Sequence, residues 1–162
     1  MRYVQPHLIS DTQISDINAT EIYDVPDLMA AMLKNINSSS MKTLRRLKAN
    51  ISRFSVFRDP LAGLPDGLVR MPAGNNLREI FITVTTDEFK QCSSQMEHWG
   101  SLAEALGDRS RFTRLERICV SVESYMRGST GKELLMEMAD PCFLHLRNIY
   151  GTNFKFRAEY HI

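Results

Sequence analysis

The chain has 162 residues, 43% hydrophobic and 24% charged, enough for one domain that folds without a disulfide or a metal. Twenty Lys and Arg against nineteen Asp and Glu leave a net charge of +1, so total charge points to no partner. No run approaches the roughly 18 apolar residues of a membrane span, the opening MRYVQPHLISDTQ has no leader pattern, and three scattered cysteines with an odd thiol fit a reducing, cytoplasmic setting.

The distribution of charge is less even. Asp11, Asp16, Glu21, Asp24 and Asp27 make the first 41 residues acidic. Lys42, Arg45, Arg46, Lys48, Arg53 and Arg58 then follow without an acid, and Arg109, Arg111, Arg114 and Arg117 form a third, basic stretch. Such asymmetry indicates either an anionic partner or one segment packing against another.

In chain order, Asp24 and Pro26 open an expected short helix, with Leu28, Met29, Met32, Leu33 and Ile36 at helical spacing. A second helix is expected over 40–56, with Leu44, Leu47, Ile51 and Phe54 on one stripe and the cations on the remaining surface. Residues 58–76 carry Pro60, Pro65 and Pro72 with three glycines, which excludes a long element. Their leucines indicate that the segment packs down, and it is a candidate subdomain boundary and partner-binding arm within a single domain, 1–162.

Leu77 to Thr85 alternates Ile80, Ile82 and Val84 with polar or aromatic neighbours and reads as a strand with one buried face. Thr86 caps an expected helix, and Ser101 with Glu104 forms a capping box for another that ends at Gly107, with Trp99 covering the core edge between the two. Phe112, Leu115, Ile118, Cys119 and Val122 trace a further helical stripe, and Thr130 with Glu133 caps a last helix ended by Asp140-Pro141. The final residues read as a β-hairpin, about 143–150 and 154–161, around Gly151-Thr152-Asn153. In that register His145 faces Glu159 and Arg147 faces Arg157. No internal repeat is apparent, and the expected fold is α+β: a helical N-terminal part and a small antiparallel sheet, with its C-terminal hairpin packed against helices.

Motifs of catalysis are weak. Arg127 to Glu133 lacks both the first glycine and the final hydroxyl of a phosphate loop. Neither Cys92 with His98 nor Cys142 with His145 carries a nucleophile signature, the histidines have no metal-ligand spacing, and no cofactor is expected. The reading is of a non-enzymatic interaction or assembly protein with an anionic partner (RNA, a ribonucleoprotein or a membrane surface). The candidate anion-binding residues are Lys42, Arg45, Arg46, Lys48 and Arg53 on the basic helix, with Arg147, Lys155 and Arg157 on the hairpin. Two alternatives stand beside it: a self-associating protein-binding module, and a small enzyme whose site gathers distant residues such as Cys92, His98 and Arg114.

The strand at 77–85, after a Pro-containing loop and before helices, resembles the order of elements in rhabdovirus matrix proteins over about half of the chain, without a Pro-Pro-x-Tyr run. That resemblance implies assembly on membranes and nucleocapsids, and it does not place the chain in the family.

Overall fold

The computed structural model describes residues 16–23, 43–52, 61, 63–89, 92, 96–125 and 131–160. The expected helix at 24–37, together with Lys42, Arg53 and His161, lies outside them. Five strands form one sheet: β1 (Asp16–Tyr23), β2 (Arg46–Ser52), β3 (Glu79–Thr86), β4 (Arg117–Ser124) and β5 (Phe154–Tyr160). Their spatial order is their chain order, and every neighbouring pair is parallel. Among the described residues, helices α1 (Leu64–Val69), α2 (Met96–Gly107) and α3 (Lys132–Tyr150) lie between them. The fold is therefore α/β, which corrects the antiparallel α+β expectation, and the N-terminal part contributes the edge strand β1 rather than only helix.

A parallel strand cannot follow its neighbour through a tight turn, so each step needs a crossover. When every step moves the same way along the sheet, crossovers of one hand all return over the same side. The packing agrees. Trp99 of α2 and Phe143 of α3 stack edge-on or tilted against Phe156 of β5, at centroid distances of 5.8 and 5.0 Å, and against each other at 6.0 Å. Leu47, Ala49, Ile80, Ile82, Val84, Ile118, Val120 and Val122 form the buried side of the sheet beneath them.

The entry to each of the three central strands repeats. Leu44, Leu77 and Leu115 each precede the first buried strand residue (Leu47, Ile80, Ile118) by three positions, and all are buried. The joint is repeated in hydrogen bonds. The Arg45 carbonyl accepts from the N–H groups of Arg78 and Glu79 at 2.8 and 3.1 Å, and the equivalent Arg78 carbonyl accepts from those of Glu116 and Arg117 at 2.8 and 3.0 Å. The chain is thus a stack of β–α units of unequal length, contrary to the reading without repeats.

This motif explains two misassigned helices. A leucine three residues ahead of a strand imitates helical spacing, so 40–56 and 110–127 read as helices. Within them, Leu47, Ala49, Ile51 and Ile118, Val120, Val122 alternate, as a half-buried strand requires. The order of elements behind the matrix-protein resemblance changes accordingly.

The hairpin is also overturned. Residues 143–150 belong to α3, whose buried residues Leu135, Ala139, Phe143, Leu146 and Tyr150 keep helical spacing. Pro141 does not end it, although it removes one N–H from the exposed side. A single 3-10 turn, Gly151–Asn153, leads into β5, which among the described strands pairs with β4 alone and in parallel. Arg147 therefore does not face Arg157 across a ladder. The alternation inside 154–160 survives, with Phe154, Phe156 and Ala158 buried and Lys155, Arg157 and Glu159 exposed.

The Pro/Gly-rich segment packs down as expected, with Leu61, Leu64, Leu68 and Met71 buried and the six-residue α1 in its middle. Ser101 sits inside α2 and donates to the Glu97 carbonyl at 3.0 Å, rather than capping a new helix. Gly107 ends α2 where a Cβ would lie 2.8 Å from His145 Cδ2, so a larger residue there would have to push that exposed ring aside.

Trp99 is fully buried, and its indole N–H donates to the Cys92 carbonyl at 3.0 Å. Replacing it by Ala removes the centre of the aromatic cluster, so Trp99→Ala is expected to lose about 3–5 kcal/mol of stability in urea denaturation. Tyr150 donates its buried hydroxyl to the Leu106 carbonyl at 3.1 Å, and burial raises its pKa above the usual 10, opposed by Arg109. A raised folded-state pKa means that the stabilisation is complete below about pH 10 and is lost as pH climbs through the folded value. Wild type should therefore lose more stability than Tyr150→Phe between pH 9 and pH 11, measured by denaturation of each.

Candidate interface on the open sheet face

In sheets covered on both sides, parallel strands are hydrophobic on both sides too. Here the side away from the helices is largely polar, its residues with described side chains on β2 to β5 are half-buried or exposed, and no described helix lies over it. The register arranges its residues in rows across the strands. The first row runs Asp16, Arg46, Glu79, Arg117; the second Asn18, Lys48, Phe81, Cys119, Lys155; the third Asn50, Thr83, Ser121, Arg157; the fourth Ser52, Thr85, Glu123, Glu159.

Charge in the first row alternates. The Arg46 Nε–H donates to Glu79 at 2.6 Å, and Asp16 stands in register on the other side of Arg46. Opposite charges on facing strands support the pairing by roughly 0.2–1 kcal/mol. Residues 16–23 of the acidic segment and 46–52 of the basic stretch are thus neighbouring strands.

Phe81 is the aromatic centre of the face. Lys48 Nζ lies 5.9 Å and the Arg117 guanidinium 5.5 Å from its ring centroid, within cation–π range. Among the described residues Lys48, Arg117 and Lys155 have no carboxylate partner. Arg157 approaches Glu159 at 3.6 Å, and Ser121 donates its hydroxyl to Thr83 at 3.2 Å.

The structure brings together Arg46, Lys48, Lys155 and Arg157 from the expected set, on strands instead of a helix and a hairpin. Arg45 is exposed in the turn before β2, and Arg147 sits on α3 in the opposite layer, bonded to Asp140 at 2.5 Å. That bond holds the Asp140 carboxyl below its ordinary pKa. Arg117 was not placed on a sheet because 110–127 read as a helix, and Phe81 lay on the expected strand without being singled out; the signal that finds them is alternation around Ile80–Val84 and Ile118–Val122.

The other arginines of 109–117 serve the turns. Arg109 donates to the Leu115 carbonyl at 3.0 Å and lies over the Tyr150 ring, Arg111 donates to the Met71 carbonyl, and Arg114 reaches Asn76. Buried Asn75 completes this brace, donating to the Pro72 and Arg111 carbonyls and accepting from the Leu77 N–H.

The cysteines are all free thiols. Cys92 is buried, and Cys142 donates weakly to the Met138 carbonyl at 3.8 Å, with burial pushing its pKa above the ordinary thiol value. Among the described residues no three His, Cys, Asp or Glu side chains are placed to hold a metal, and no helix is long and apolar enough to cross a membrane. Compared with protein-family models, curated proteins and solved structures, the chain gives no match.

The two sides of one strand should respond differently to truncation. Ile82→Ala, on the buried side, is expected to cost about 2–5 kcal/mol. Phe81→Ala, on the open side, is expected to cost about 1 kcal/mol, because only part of the ring leaves water on folding. Urea midpoints of the two variants measure the contrast.

Proposed function

We propose that the protein is a non-enzymatic interaction module that binds an anionic macromolecule across the open face of its parallel sheet. The observation that carries the reading is the set Lys48, Arg117 and Lys155, three cations on one exposed face without a carboxylate partner among the described residues. Charged groups of this kind attract an opposite charge with little desolvation to overcome. A stack of β–α units also suits the role, since such arrays present one extended surface built from the same position of successive repeats. Three free thiols support a reducing, intracellular setting.

Retention on heparin at low salt tests the reading. Wild type should be retained and elute earlier as salt rises, because each anionic contact releases counterions. Lys48→Glu combined with Lys155→Glu should shift elution to markedly lower salt, whereas Arg147→Ala in the helical layer should leave it unchanged. Elution insensitive to the first pair, or sensitive chiefly to Arg147, would contradict the open face as the site.

A further inference from the structure

Resting on that reading, we infer that the partner is an extended acidic segment of another protein, laid across the strands along the row Lys48, Phe81, Cys119, Lys155. These four residues are successive register partners on β2 to β5. Neighbouring strands are about 4.8 Å apart, so the two lysines stand about 14 Å apart at Cα, the span of about four extended residue steps. The row is cationic at both ends and apolar in the middle, where Phe81 and the Cys119 thiol are half-buried. A segment of the form acid–x–apolar–x–acid matches it, because alternate side chains of an extended chain face the same way: the first carboxylate meets Lys48, the apolar side chain lies between Phe81 and the Cys119 thiol, and the second carboxylate reaches Lys155.

Acids on the same face select against a uniformly charged partner. Glu123 and Glu159 are register partners two rows further along the strands, and Glu79 occupies the row before. Glu79 is bonded to Arg46 and Glu159 lies beside Arg157, so these pairs offer no net positive charge to a phosphate backbone or an anionic bilayer, which is charged throughout. A peptide puts its charges only where Lys48 and Lys155 stand, so specificity arises from the spacing of the cations that have no carboxylate partner among the described residues.

The test is fluorescence anisotropy with the labelled peptide Gly-Ser-Glu-Ser-Leu-Gly-Glu-Ser-Gly, alongside oligouridylate and phosphatidylserine vesicles. The peptide should bind at low salt, and Lys48→Glu or Lys155→Glu should weaken it about tenfold, the effect of losing one good charge contact. Replacing its Leu by Ser should weaken binding to wild type but not to Phe81→Ala, and bringing its two glutamates adjacent should weaken it further. Circular dichroism of each variant verifies the fold.

No peptide binding, or equal binding of the peptide with adjacent glutamates, overturns the inference. Tighter binding of RNA or vesicles through the same lysines also overturns it while leaving the open face as an anion site. Heparin retention that ignores those lysines removes the underlying reading itself.

Discussion

The whole arrangement depends on the buried leucine that enters each central strand. Leu44, Leu77 and Leu115 drop into the core three residues before the strand's first inward side chain, and the carbonyl after Leu44 or Leu77 holds two N–H groups of the next unit. Each unit thereby sets the height and register of its neighbour. Strands aligned in this way stack in parallel and in sequence, and the crossovers accumulate on one side. The open face is the direct result: the described helices lie on one side of the sheet, and none of them covers the other.

That geometry turns scattered charges into an ordered pattern. Lys48 and Lys155 are far apart in the chain, yet three steps of register place them in one row with Phe81 and Cys119 between. The cations of 109–117 separate the same way. Arg117 joins the open face by strand alternation, while Arg109, Arg111 and Arg114 turn to carbonyls and Asn76, where they brace the loops at the strand entries. A basic stretch in sequence is therefore not a basic patch in space.

Legibility followed the strength of local preference. β3, with Ile80, Ile82 and Val84 against Phe81 and Thr83, combines β-branched composition with clear alternation and was readable almost to its ends. β2 was not, because Leu47, Lys48, Ala49 and Asn50 have little strand preference; β3 beside it and the core beneath make it a strand. Residues 143–150 satisfied both periods, and only the contacts of Phe143 and Leu146 with the core decide for helix. Half of the candidate site was legible as residue identity (Arg46, Lys48, Lys155, Arg157). Its assembly was not, since row membership depends on parallel pairing between distant segments.

Interstrand nuclear Overhauser effects test the parallel, sequential sheet most directly. Backbone contacts of Val120 with both Ile82 and Phe156, progressing in the same direction along all three strands, are the predicted result. Contacts running in opposite directions between residues 143–150 and 154–160 would show an antiparallel hairpin instead, and would dissolve the row that unites Lys48, Phe81 and Lys155.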